Sequence, residues 1–142
     1  MLCQVLEFSE HFSYKEMTVT RTGLKNVPTG KSEINLCLLS HFLESFRSYL
    51  KRPIVVNSAF RSKAVNKKVH GAAFSWHCVG SAADIRVHGM SPSELRHALQ
   101  TFCEGDGKPK YRELLQYGTF VHIAFHPDQL YQHYKTHIYL PY

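Results

Sequence analysis

At 142 residues, 44% hydrophobic and 20% charged, the chain has enough apolar material for one buried core and reads as a single domain over residues 1–142. No apolar run approaches the ~20 residues of a membrane span, and no repeat or low-complexity segment is present, which excludes bilayer-crossing, solenoid and disordered classes. The formal charge of +6 favours anionic partners without naming one. Its densest groups, Lys63, Lys67 and Lys68, then Lys108, Lys110 and Arg112, are spread enough to be a solvated surface, and no nucleic-acid partner is expected from charge alone.

The first residues, Met1-Leu2-Cys3-Gln4-Val5-Leu6-Glu7, have no basic start followed by an apolar stretch. They do not read as a secretory signal, so synthesis in the cytoplasm is expected. Ser13-Tyr14-Lys15-Glu16 has the form of a capping box and predicts a short helical turn. A loop with Gly23, Pro28 and Gly30 follows. From Ser32 to Leu50, apolar residues Ile34, Cys37, Leu38, Phe42, Phe46, Tyr49 and Leu50 recur at three- and four-residue spacing, the pattern of a one-faced helix. Ile54-Val55-Val56 is β-branched and predicts a strand. Ser62 caps a short helix that Gly71 is expected to end.

Residues 81–87 predict a second strand. Ser91-Pro92-Ser93-Glu94 combines a cap, a proline at the first helical position and a closing glutamate, which predicts a helix through Phe102. Leu114-Leu115 and residues 120–125 predict a hairpin around Gly118. The aromatic-rich tail from Pro127 has no assignable pattern. The expected fold class is α+β, a small antiparallel sheet with helices packed on one face. The four cysteines, Cys3, Cys37, Cys78 and Cys103, are scattered and form no disulfide or zinc-ribbon spacing. Cys37 and Cys103 fit packing positions, and Cys78 is expected to point away from His77 in an extended segment.

Three residues stand out by arrangement. Alternation on the second strand puts Ala82, Asp84 and Arg86 on one face and Ala83, Ile85 and Val87 on the other. An acid beside that core is anomalous unless paired or bound to metal. Val121, Ile123 and Phe125 likewise leave His122 on the opposite face of the last strand. Gly80 permits a turn that returns His77 over Asp84. Two imidazoles and a carboxylate suit a catalytic zinc site with one open position. On spacing alone, two unrelated histidines and a salt-bridged aspartate account for the pattern equally well. The remaining histidines, His70, His88 and those of the tail, read as surface groups, and His126 as a strand residue too far along to share the metal.

Ser75-x-His77-x-x-Gly80-x-Ala82-x-Asp84 resembles the metal-binding motif of the zinc D-alanyl-D-alanine peptidases, whose fold is shared by VanX-type dipeptidases and the Hedgehog signalling domain. Asn57-Ser58-Ala59-Phe60-Arg61-Ser62-x-x-Val65-Asn66 resembles the family's "S-G-Y-R-S-x-x-x-N" segment, and Phe120-Val121-His122-Ile123 its "W-V-H-[IV]" segment. Phe12 to Met17 is similar to the lead-in of small phage and bacterial members. The resemblance spans about residues 12–126. It implies one zinc ion on His77, Asp84 and His122, Arg61 as the active-site arginine facing a scissile carbonyl or a substrate carboxylate, and Ser75 orienting site or substrate.

The implied activity is hydrolysis of a peptide bond in bacterial peptidoglycan, of D-alanyl-D-alanine carboxypeptidase or endopeptidase type, with wall peptides as partners and a monomer as the simplest state. A chain of this size resembles phage-encoded lytic enzymes made in the host cytoplasm and acting on the cell wall. The sequence departs from the family at the general base, a carboxylate three or six residues before the last zinc histidine: those positions hold Thr119 and Gln116, and the nearest upstream carboxylate is Glu113. Glu113 is thus the candidate base, with Gln116 at the family's position. The alternative is a zinc-stabilised module with weak or no catalysis that binds a wall or protein ligand.

Overall fold

The computed structural model describes residues 5–139. Ser13 caps α1 (Tyr14–Met17) by accepting the Glu16 backbone N–H. The long periodic segment forms α2 (Lys31–Leu50), which Lys51 ends in the left-handed conformation at φ 59°. β2 (Val55–Ser58) follows, then α3 (Lys63–Lys68), capped by Ser62. β3 (Ala82–Arg86) leads to α4 (Pro92–Cys103), where Ser91 and Glu94 form the reciprocal capping box. β4 (Glu113–Gln116) and β5 (Val121–Ala124) make the hairpin, its turn closed by the Tyr117 N–H on the Phe120 carbonyl.

The structure corrects the local reading at three places. The left-handed residue after α3 is His70, at φ 58°, not Gly71. Gly71 is required for another reason, since any Cβ there would strike the Asn66 side-chain amide. Cys78 lies in the turn through residues 76–80 and not in an extended segment. The tail is ordered as α5 (Pro127–Tyr134), a 3-10 turn (Lys135–His137) and β6 (Ile138–Tyr139), which pairs with β1 (Val5–Leu6). His126 is the α5 N-cap and has left the strand.

The main sheet has the order β2-β3-β5-β4, antiparallel throughout. Its core-facing residues, Ala83, Ile85, Val121, Ile123 and Leu114, join Leu39, Phe42, Leu43 and Phe46 of α2 and Leu95, Leu99 and Phe102 of α4 in one buried cluster. Phe42 sits at its centre, with ring centroids 4.6 Å from Phe125 and 5.9 Å from Phe102. At roughly 25 cal/mol per Å² of apolar surface, this burial is the main favourable term. α2, α4 and α5 therefore hold one sheet face. The opposite face of β3 and β5 is left for polar groups, and the predicted α+β architecture is the one observed.

Among the described residues no helix is long and apolar enough to cross a membrane.

Candidate metal centre

The two central strands fix the site by register. Asp84 on β3 is directly opposite His122 on β5, and side-chain alternation turns both away from the helices. His77 arrives from the 76–80 turn. Gly80 makes that turn possible: its φ is +84°, and a Cβ would collide with the Ser32 carbonyl in the first turn of α2. The turn is tied down where Asn35 donates to the Val79 carbonyl at 2.9 Å and the Arg61 N–H to the His77 carbonyl at 3.1 Å. The Ser75 hydroxyl accepts the His77 N–H at 3.2 Å, so it organises the loop that carries the imidazole.

His77, Asp84 and His122 are all buried, and their ligand atoms lie within 4.8 Å of one another. Asp84 Oδ1 is 3.2 Å from His77 Nε2 and 2.8 Å from His122 Nδ1. Proton accounting shows what the cluster can hold. His77 Nδ1 lies 2.6 Å from the Ala59 carbonyl, which can only accept, so Nδ1 carries the hydrogen. A neutral His77 then aims its Nε2 lone pair at a carboxylate oxygen. His122 faces carboxylates on both sides, Asp84 at Nδ1 and Glu113 Oε1 at 2.8 Å from Nε2, with one hydrogen when neutral. Three electron-rich atoms converge, and only extra protons or a cation reconcile them. The residues therefore fit a divalent metal. The Ala59 carbonyl and the Glu113 carboxylate are the outer partners that fix ring orientation at such centres.

The electrostatics agree. When protons rather than a cation reconcile the cluster, burial pushes the Asp84 carboxyl up, but hydrogen bonding to His122 and then to His77 outweighs it and holds the group well below the usual carboxylate range. Burial pulls His122 down, and Asp84 and Glu113 more than compensate and raise it above the ordinary histidine value, as they would favour any positive charge at its nitrogens.

Arg61 completes the cluster. Its Nη2 donates to Asp84 Oδ2 at 3.1 Å, its Nε to the Ser58 hydroxyl at 3.2 Å, and its Nη1 to Asn66 Oδ1 at 3.4 Å. Ser58 is aligned by an irregularity in the β2–β3 pairing, where Asn57 is the extra residue. Of the five guanidinium N–H groups, two remain for a ligand. A cavity of about 440 Å³ opens over these groups, and Arg61, Ser75, His77, Asp84, Glu113 and His122 all line it. Its rim is apolar: Val69, the almost fully exposed Phe74, Leu115, Tyr117 and Phe120. A larger hollow of about 640 Å³ lies beyond Trp76, between α2 and α5. It includes none of the three converging ligands.

Gln116 does not join the site. It pairs with Val121 on β5, and strand parity places it with buried Leu114 rather than with His122. Thr119 is exposed in the hairpin turn. Asn66 and Ser58, which brace Arg61, belong to the segment the sequence singled out but carried no individual expectation. Their polar character next to an arginine was the available signal.

An α+β domain with a buried His-Asp-His cluster, an anchored arginine and an open cleft has the build of a metal-dependent hydrolase. The family model described as Peptidase M15 matches residues 10–124, most of the chain, and the protein belongs to that family. Its class is accordingly that of a metallopeptidase. No curated protein matches the sequence.

Proposed function

We propose that the protein is a zinc peptidase that hydrolyses D-alanine-containing stem or cross-link peptides of bacterial peptidoglycan, as a phage-type lytic enzyme. The observation that carries this reading is the convergence of His77 Nε2, Asp84 Oδ1 and His122 Nδ1 beneath one cavity that also exposes Arg61 and Glu113. Zinc on these ligands would polarise the scissile carbonyl and lower the pKa of a water to about 7.

The chain's own groups supply the rest. Arg61 is held by Ser58, Asn66 and Asp84, so its two remaining N–H groups are pre-aimed at a developing oxyanion or a substrate carboxylate. Ser75 shapes the adjacent wall. Among the residues lining the cavity only Asp84 and Glu113 are carboxylates, and Asp84 is committed to the ligand cluster. Glu113 is therefore the base that takes a proton from water and returns it to the leaving amine. Its partly exposed side chain leaves it free to turn from His122 toward the cleft. The apolar side chains of the lining offer contact surface to the uncharged parts of a bound peptide.

A second reading is favoured by the 2.8 Å bond from Glu113 to His122 Nε2. If Glu113 only orients His122, the domain is a zinc-stabilised module that binds a wall or protein ligand. The deciding experiment measures zinc content and release of free amines from a defined wall peptide for the wild type and Glu113→Gln. The proposal expects one zinc per chain in both and turnover in the wild type alone. Full turnover by Glu113→Gln removes Glu113 as the base, and zinc without turnover in the wild type leaves the binding module.

A further inference from the structure

The second feature of the molecule is a charge asymmetry unrelated to the metal ligands. Between Glu44 and Asp84 the sequence has no acidic residue, while Arg47, Lys51, Arg52, Arg61, Lys63, Lys67 and Lys68 all fall there. The fold concentrates part of this excess. α3 turns Val65 and Asn66 inward and leaves Lys63, Lys67 and Lys68 exposed. The preceding loop is lashed to the start of α3: the Ser62 hydroxyl donates to the Lys25 carbonyl at 3.0 Å and the Ser62 N–H to Asn26 Oδ1 at 2.7 Å. Exposed Lys25 is thereby brought to the same flank. None of these four lysines has a carboxylate within ion-pair distance among the described residues. Two of them, Lys67 and Lys68, face the α3 C-terminus, where cations are favoured. That accounts for two charges on the helix and not for Lys25 or Lys63.

This flank is continuous with the metal cleft. Hollows along it are lined by Lys63, Lys67, Gly71 and Cys78, and by Leu24, Ala64, Lys67, Lys68 and His70. Gly71 and His70 also line the cleft itself. We infer that the α3 flank, Lys25, Lys63, Lys67 and Lys68, is a docking surface for a linear phosphodiester polymer of the bacterial wall, which lies beside the peptide cleft. The assignment of the polymer to the wall rests on the peptidase reading above. The charge complementarity does not. A repeating phosphate backbone matches unpaired lysines along one edge, and counterion release makes such binding salt-dependent. No Phe, Tyr or Trp lines the two hollows; the exposed rings Phe74 and Tyr117 line the metal cleft beside them, so a single strand stacked on those rings is the competitor that the test must exclude.

The test titrates the zinc-loaded full chain with linear poly(glycerol phosphate) at several salt concentrations. It compares the wild type with Lys63→Gln/Lys67→Gln/Lys68→Gln and with a control of equal charge, Lys108→Gln/Lys110→Gln/Lys135→Gln. The inference expects affinity to fall about 10–100-fold in the α3 variant at low salt, with a log–log salt slope shallower by about 2 units for three lost contacts. The control should stay within about twofold, since its lysines lie off the flank. Equal loss in the two variants overturns the inference, because net charge alone would then explain binding. Tighter binding of single-stranded DNA or of phosphatidylglycerol vesicles at matched phosphate concentration also overturns it. Cleavage of a short soluble wall peptide, measured in parallel, separates the two readings: polymer binding without cleavage leaves the surface standing and sinks the peptidase, and cleavage without flank-dependent binding does the reverse.

Discussion

The two faces of the β3–β5 pair are made from the same eight or so backbone positions and serve opposite ends. On one side Ala83, Ile85, Val121 and Ile123 meet α2 and α4 and are fully buried. On the other, Asp84 and His122 are buried nearly as deeply, in a cluster with His77 and Glu113 that holds fewer hydrogens than its close contacts need unless protons or a cation are added. The first face is stable by burial of apolar surface. The second is held by the Arg61–Asp84 ion pair and by the protons or cation shared among its ligands.

The sharpest way to break the comparison is to damage the packed face. Phe42→Ala empties the centre of the aromatic cluster around Phe46, Phe102, Phe125 and Tyr134. It should lower unfolding free energy by about 3–5 kcal/mol in urea titrations, while the folded fraction still takes up one zinc. If metal uptake vanishes with the core intact enough to fold, the two faces are not separable in this way.

The converse damages only the site face. With free zinc at about 100 times its dissociation constant, the wild type should gain about 2.7 kcal/mol by mass action. Phe42→Ala should gain the same amount, because distant sites add. Asp84→Ala should gain none, and a chelator should erase the gain in the other two. Thermal melts with and without chelator read all three.

Gly80→Ala probes the joint between the faces. A side chain there meets both a left-handed φ and the Ser32 carbonyl of α2. The expected cost is about 1–3 kcal/mol from backbone strain alone, together with weaker zinc retention, since His77 rides on that turn. Equilibrium dialysis against a zinc buffer checks the second part.

The smallest effect is at the periphery. The Glu44 carboxyl lies below its ordinary range: burial pushes it up, and the backbone N–H and ring of His11 hold it down at 2.8 and 2.7 Å. A carboxyl lowered in the folded state contributes above its unfolded value of about 4.3 and loses that contribution as pH falls through the folded value. Glu44→Gln should therefore cost about 0.5 kcal/mol at neutral pH and nothing at pH 2. Matched melts at the two pH values test the sign.

Much of the candidate site is legible in the sequence because β-strands alternate with a fixed period of two. Once residues 81–87 and 120–125 are strands, Asp84 and His122 must leave the apolar face. The same rule puts Gln116 on the wrong side of β4 for the site, but only after its pairing with Val121 is known. The tail resisted because its helix buries only Leu130 and Tyr134, too few for a clear period, and β6 is two residues held by β1 from the other end of the chain.

Elements with local causes are legible in the chain alone. Caps at Ser13, Ser62 and Ser91, the apolar stripe of α2 and the alternation of β3 and β5 are properties of adjacent residues. Contacts between segments far apart in the chain emerge only from the folded arrangement. Gly71 is glycine for the sake of Asn66 rather than for a helix end. Arg61 finds Asp84 across 23 positions, and Glu113 finds His122 Nε2 across the hairpin. Local rules act through backbone torsions and short hydrogen bonds, whereas a metal centre is assembled by register and packing between segments that no sequence window contains.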